Sequence, residues 1–125
     1  MDVTKFIESV ENGSTLTFGE YQDVASKSID NRLTNDEKLN HALFGLSAEV
    51  GEVTSLFQKY LQGHSIDLEH LKIEIGDVLW MVAELCTVLE FRMSETAMGN
   101  NKKTTSRYPN GFESERSLNR RDGDV

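Results

Sequence analysis

This 125-residue sequence has few cysteines, prolines and basic residues, and each shortage excludes a class of protein or partner. Cys86 is the only cysteine, so no disulfide can form within the chain, and a lone thiol is typical of a reducing compartment. No apolar run approaches the about 20 residues that a membrane-spanning helix needs, and no signal peptide is recognisable. We therefore expect a cytoplasmic protein with no membrane partner.

Positive charge is also scarce in this chain. It has 13 lysine and arginine residues against 21 aspartate and glutamate residues, which gives a formal net charge of −8. Binding to a nucleic-acid duplex needs a basic patch, and none precedes residue 102, so we expect no nucleic-acid partner. Nucleotides remain possible partners because a bound metal ion would cancel local negative charge.

The single proline and the apolar residues spaced three or four apart favour helices, and no alternating run indicates a strand. Thr17 with Glu20, and Thr34 with Glu37, have the spacing of capping boxes and mark two helix starts. The predicted fold class is all-α, a four-helix bundle. Three main helices of this length leave an apolar face uncovered, so we expect a homodimer or homotetramer.

A chain of this length holds one domain, and its composition divides it into three parts. An N-terminal arm with a short amphipathic helix occupies residues 1–16, and the helical domain occupies residues 17–112. Residues 113–125 are polar and are interpreted as a mobile tail. The predicted helices of the domain begin near residues 17, 34, 67 and 94 and end near residues 30, 62, 92 and 105.

Two pairs of acids lie on the second and third of these helices. The first pair is Glu49 and Glu52, three residues apart and therefore on one helix face. The second pair is Glu74 and Asp77, with the same spacing. A turn at residues 63–67 makes the helices antiparallel and places both pairs about 14–19 Å from the turn, at 1.5 Å rise per residue. Four acids at one level repel one another unless a cation lies between them, which predicts a metal site.

Oxygen ligands alone favour Mg²⁺ or Mn²⁺ over Zn²⁺ at such a site. The three histidines, His41, His64 and His70, are not spaced with the acids as ligands and are predicted to be surface or loop residues. Each acid pair also contains a glycine, Gly51 or Gly76, which costs about 1 kcal/mol in a helix interior. These glycines indicate that backbones pack closely there or leave room for something. A single acidic pair is usually a solvated face, but two matched pairs favour the metal.

Three residues near the C-terminus form the notable basic cluster: Lys102, Lys103 and Arg107. They could bind phosphate, since lysine provides a mobile charge and arginine a planar fork. The alternative is an ordinary basic helix end that interacts with the helix dipole. Trp80 also has two interpretations: it is a core residue, or it forms the wall of a base-binding pocket.

Together these residues resemble the signature of the MazG-like, all-α nucleoside triphosphate pyrophosphohydrolases. The pattern is Glu49-x-x-Glu52, a spacer of 21 residues and Glu74-x-x-Asp77. The resemblance covers about residues 17–112, and its further segments are Thr17-Phe18-x-Glu20-Tyr21-Gln22, Gly45-Leu46-Ser47-Ala48-Glu49, Gly76-Asp77-Val78-Leu79-Trp80, and Asn100 and Lys103 with Arg107-Tyr108-Pro109-x-Gly111-Phe112.

The resemblance implies a helical domain, usually a dimer or tetramer, that binds Mg²⁺ through Glu49, Glu52, Glu74 and Asp77. It also implies hydrolysis of (deoxy)nucleoside triphosphates between the α and β phosphates, which gives the monophosphate and pyrophosphate. The attacking water must lose a proton, and a carboxylate of the quartet can accept it. Glu49 and Glu52 are the candidates for this catalytic role.

Family positions that face the phosphates match Asn100, Lys103 and Arg107. The chain departs from the family at Thr104, where leucine commonly follows the lysine. The residues expected to line the base pocket are Tyr21, Gln22 and Trp80.

Two other functions remain open at this point. An enzyme of the same fold could act on another phosphate chain, such as that of phosphoribosyl-ATP. The chain could also be a non-catalytic helical oligomerisation module, whose acids are merely polar surface residues.

Overall fold

The computed structural model describes residues 2–120, and these residues form six α-helices. In chain order they are α1 (Val3–Glu11), α2 (Phe18–Ser26), α3 (Asn35–Leu61), α4 (Leu68–Val88), α5 (Met93–Arg107) and α6 (Ser114–Leu118). Helix α4 packs against α3, α2 and α5, and α2 also packs against α5. The all-α class is therefore confirmed, and α2 to α5 correspond to the four predicted helices. None of the described helices is long and apolar enough to cross a membrane.

Local hydrogen bonds fix the helix starts where the sequence predicts them. The backbone N–H of Thr17 donates to the Glu20 carboxylate at 2.8 Å, and Glu20 N–H donates back to the Thr17 hydroxyl at 3.2 Å. Thr34 and Glu37 form the same reciprocal pair at the start of α3. Asp67 caps α4 by accepting from two backbone N–H groups. Each cap satisfies donors that the first helical turn leaves without a partner.

Two predicted helix ends are wrong. Helices α2 and α4 end several residues early, at Ser26 and Val88 rather than near residues 30 and 92. Arg92, which the prediction places at the end of the third helix, is the N-cap residue of α5. In the segment interpreted as a mobile tail, Ser114–Leu118 is helical, and residues 121–125 lie outside the described part of the chain.

The early end of α4 has a specific cause in the backbone of Glu90. This residue has a φ of 59°, and the next residue, Phe91, donates its N–H to the Cys86 carbonyl at 2.8 Å. These features define a Schellman motif, which stops a helix. Helices α1 and α3 end in the same way, at Gly13 and Gly63, where glycine adopts the left-handed conformation without strain. Glycine at this position would predict a helix end from the sequence, but glutamate does not.

Helix α2 is fastened to the α4–α5 connection by Gln22, which is 3% exposed. Its amide nitrogen donates to the Phe91 carbonyl at 2.8 Å and to the Thr87 hydroxyl at 3.1 Å. Its amide oxygen accepts from the Met93 N–H at 2.8 Å. Two of these three bonds satisfy backbone groups in the connection beyond the end of α4, the Phe91 carbonyl and the Met93 N–H.

Helices α3 and α4 pack closely at Gly45. A Cβ atom there would lie 2.7 Å from Met81 Cε, so only glycine fits without a shift of the methionine. Of the two interpretations of Gly51 and Gly76, close packing is not observed, because a Cβ at either position would have no neighbour within 4 Å among the described residues. The described chain leaves open space beside both acid-flanked glycines.

The buried core is small and lies between α2, α4 and α5. Its members, with the half-buried residues packed against them, are Ala25, Ala83, Cys86, Met93, Tyr21, Trp80 and Val82. The predicted burial of Cys86 is confirmed. Trp80 packs on this core, as one of its two interpretations requires.

The strained end of α4 generates the first prediction. A non-glycine residue in the left-handed conformation costs roughly 1 kcal/mol or more. We therefore expect Glu90→Gly to raise the free energy of unfolding by about 1 kcal/mol in urea denaturation. Glu95→Gly, within α5, is the matched control, and it should lower the free energy of unfolding by about as much because glycine disfavours a helix. A loss of stability in both variants would contradict this account of Glu90.

Candidate metal centre

Three carboxylates converge where α3 faces α4. One oxygen from each of Glu49, Glu74 and Asp77 lies within 4.8 Å of the other two. Glu49 and Glu74 are half-buried, and Asp77 is exposed. Because the turn before Asp67 reverses the chain, positions at equal distances from it along the two helices meet at one level. We call this group the acid cluster.

Glu52 is the one predicted metal ligand that does not join the acid cluster. It lies one turn further along α3 than Glu49, and its side chain is exposed. The spacing in the sequence places it on the same face of the helix, but its carboxylate is not among the three that meet.

The acid cluster fits a hard divalent cation. Within residues 2–120, neither Glu49 nor Asp77 forms a side-chain hydrogen bond or ion pair, so their negative charges have no compensating partner there. Carboxylate oxygens about 2.1 Å from an octahedral Mg²⁺ lie roughly 3–4 Å apart, so only small movements would bring these atoms to that spacing. Three oxygen donors and no sulfur favour Mg²⁺ or Mn²⁺.

His70 is a site residue that the sequence analysis missed. It is half-exposed, as predicted, but its Nε2 atom lies 2.7 Å from Glu74 Oε1. The available signal was the four-residue spacing, which places His70 and Glu74 on the same face of α4. A hydrogen bond of this kind orients a metal-binding carboxylate from outside the ligand shell.

Tyr21 brings α2 to the edge of the acid cluster. Burial raises the pKa of its hydroxyl, and the nearby negative charge of Asp77 raises this pKa further. Trp80, another predicted base-pocket residue, packs on the same core as Tyr21. The amide of Gln22, the third, is occupied by the three hydrogen bonds described above. Among the predicted base-pocket residues, Tyr21 is close enough to Asp77 for that charge to affect its hydroxyl, and its role towards the base stays a prediction.

The predicted phosphate-binding residues lie together on α5. Asn100, Lys103 and Arg107 are three and four residues apart, so they share one helix face. The first two are exposed, and the Arg107 guanidinium lies 5.9 Å from the centre of the Tyr108 ring. Their role towards phosphate stays a prediction.

Comparison with known proteins adds independent evidence. The family model described as the MazG nucleotide pyrophosphohydrolase domain matches residues 38–112. The Gene 37 protein of Mycobacterium phage L5 is 31% identical over 80 residues, which cover 60% of this chain and 70% of that protein. No solved structure matches the chain. The segment matched by the family model contains the whole acid cluster, Glu52 and the basic residues of α5.

The unbalanced charge of the acid cluster predicts that metal binding stabilises the protein. A ligand at 100 times its dissociation constant stabilises the folded state by about 2.7 kcal/mol. The midpoint temperature of thermal unfolding should therefore be higher with Mg²⁺ or Mn²⁺ than in EDTA. Glu49→Ala and Asp77→Ala should lose that shift, and in EDTA they should be at least as stable as the wild type because a repulsion is removed.

An acid outside the cluster provides the control for this measurement. Glu8 is exposed on α1, and Glu8→Ala should keep the full metal-dependent shift. If Glu49→Ala and Asp77→Ala respond to metal as Glu8→Ala does, the acid cluster is not the binding site.

Proposed function

This chain belongs to the MazG nucleotide pyrophosphohydrolase domain family, and on that premise we propose that it hydrolyses (deoxy)nucleoside triphosphates to the monophosphate and pyrophosphate. Such a reaction serves nucleotide-pool cleansing or turnover. The observation that carries the proposal is the convergence of Glu49, Glu74 and Asp77, of which Glu49 and Asp77 have no side-chain partner among the described residues. The single buried thiol is consistent with a cytoplasmic location, which we propose with it.

The acid cluster is proposed to hold Mg²⁺, or alternatively Mn²⁺, with Glu52 able to join it as the fourth carboxylate of the family pattern. When bound, such an ion would neutralise the triphosphate and stabilise the charge that develops on the leaving pyrophosphate. The hydrogen bond from His70 would keep one oxygen of Glu74 fixed, so that the other is directed to the cation.

Glu52 is our candidate for the general base. Its carboxylate lies outside the acid cluster but only one turn from Glu49, so it can accept a proton from a water beside the cluster. Glu49 is the alternative, but its position within the cluster makes it better suited to bind the cation. The proposed substrate class does not depend on which of these two glutamates is the general base.

The substrate is proposed to lie between the acid cluster and α5. Lys103 and Arg107 would balance phosphate charge, and Asn100 would donate a hydrogen bond from the same helix face. Tyr21 and Trp80 are proposed to line the base pocket. We do not include Gln22 in this role because its polar atoms already bind the α4–α5 connection.

Two alternatives from the sequence remain testable. Phosphoribosyl-ATP could replace the nucleoside triphosphate, since the same cluster and basic face suit any nucleotide-linked pyrophosphate. A non-catalytic module is less well supported, because a scaffold gains no stability from three carboxylates within 4.8 Å of one another.

We also propose that a homodimer or homotetramer covers the apolar surface of α3 and α4. Phe44, Leu61 and Leu68 are 73%, 85% and 71% exposed, respectively, which is unusual for large apolar side chains on paired helices. Light scattering should give two or four times the chain mass of 14.1 kDa. Phe44→Glu should lower the measured mass, whereas Leu118→Glu on α6 should not. A wild-type mass equal to that of one chain would contradict this proposal.

A product assay tests the proposed reaction. Each common ribonucleoside and deoxyribonucleoside triphosphate, and phosphoribosyl-ATP, would be incubated separately with the protein and Mg²⁺, and the products would be separated by chromatography. We expect monophosphate and pyrophosphate, no turnover in EDTA, and a rate at least about 100-fold lower in Glu52→Ala, as for loss of a general base. Glu95→Ala, an acid outside the cluster, should retain the wild-type rate.

Each other outcome of this assay has a definite meaning. Diphosphate and phosphate would show that the wrong bond is assigned. Turnover of phosphoribosyl-ATP alone would favour the first alternative. No turnover of any of these nucleotides, together with no metal-dependent stabilisation, would favour the non-catalytic module.

A further inference from the structure

A buried carboxyl group outside the acid cluster has no role in the proposed reaction. Glu84 of α4 is 2% exposed, and its Oε1 atom lies 2.8 Å from Nδ1 of His41 on α3. Its other oxygen, Oε2, is buried without any hydrogen-bond partner among the described residues. Because a buried polar group without a partner is costly, the contact with His41 provides the carboxyl group with its one compensating bond.

The contact between Glu84 and His41 lies on the same line of facing positions as the acid cluster. Three facing pairs define this line, which we call the α3–α4 seam: Glu49 with Asp77, Gly45 with Met81, and His41 with Glu84. Each step of four residues back along α3 is matched by a step of three or four residues forward along α4, as antiparallel helices require. The acid cluster and the histidine–glutamate pair are therefore the two ends of one packed seam.

The contacts along the seam respond differently to a slip between the helices. The Gly45–Met81 contact favours the present alignment only weakly, because the methionine atoms that approach Gly45 form the flexible end of the side chain and can move aside. A slip of one turn, about 5.4 Å, would instead separate His41 from Glu84 and leave the buried carboxyl group with no partner. Buried polar pairs fix helix register in this way because only one alignment satisfies them.

We infer that His41 and Glu84 are positioning residues, which fix the axial register of α3 against α4 and thereby hold Glu49 level with Glu74 and Asp77. This inference rests on the metal site of the proposed function. A slip of one turn would move Glu49 by about 5.4 Å, more than the 4.8 Å within which the three oxygens now lie. The acid cluster cannot correct such a slip by itself, because its charges repel one another.

The test separates register from stability. In the double variant His41→Leu/Glu84→Leu both polar groups are replaced by apolar ones, so we expect it to fold with unchanged helix content and equal or higher thermal stability. Its affinity for Mn²⁺, measured by calorimetry, should fall at least about tenfold, as for misplaced ligands. Glu84→Gln should retain the affinity, because an amide can still form the hydrogen bond to His41. His64→Leu, in the turn before α4, is the control and should bind as the wild type does.

A spin-label distance reports the register without any metal. Asp36 and Glu69 lie near the starts of α3 and α4, far apart along the helix axes, so Asp36→Cys and Glu69→Cys in a Cys86→Ala background report a slip directly. Labelled chains would be diluted with unlabelled protein to remove distances between subunits. We expect one narrow distance in the wild type and in Glu84→Gln, and a shifted or broadened distribution in the double variant. If the double variant does not fold, Glu84→Leu alone replaces it, because half-exposed His41 can then be hydrated.

The outcomes distinguish this inference from the proposed function. Unchanged metal affinity and unchanged distances in the folded apolar variant would overturn the positioning role. A wild type that binds no divalent cation would overturn the metal site, and the spin-label distances alone would then decide whether His41 and Glu84 set the register.

Discussion

The antiparallel packing of α3 on α4 is the constraint on which the rest of this structure depends. The short connection between Leu61 and Leu68 reverses the chain. Residues at similar distances from this connection along the two helices therefore lie opposite each other. Glu49 therefore meets Glu74 and Asp77 although 24 or more residues separate them along the chain. The remaining helices support this hairpin: α2 is tied by Gln22 to the connection that follows α4.

The acid cluster works against the stability of the hairpin, so the energy that holds the helices in place must come from elsewhere. Like charges within 4.8 Å favour separation of α3 from α4. The opposing interactions lie along the same interface, where Gly45 admits Met81 and where His41 partners the buried Glu84. This division, with charge at one end of the seam and packing at the other, is expected when a site must hold groups that repel one another until a cation binds.

The part of the fold that the sequence predicts is the part determined by local interactions. The capping boxes and the level of the acid pairs depend on spacings of three residues and on helix rise, so they could be derived without the structure. The end of α4 could not, because Glu90 adopts the left-handed conformation that usually indicates glycine. The bonds of Gln22 and Glu84 link residues more than 40 positions apart, and no periodicity in the sequence contains that information.

The glycines beside the acids differ from the glycine at the helix–helix contact. A Cβ atom at Gly51 or Gly76 would have no neighbour within 4 Å among the described residues, and large apolar side chains on the same two helices are exposed. If the glycines served only helix–helix packing, the space beside them would be occupied, as it is at Gly45. Where that space is empty, alanine would make the helix more stable than glycine does. The open space beside the cluster leaves room for the nucleotide or for the second copy of the chain proposed above. Both occupants would also cover apolar surface that the small core of one protomer leaves exposed.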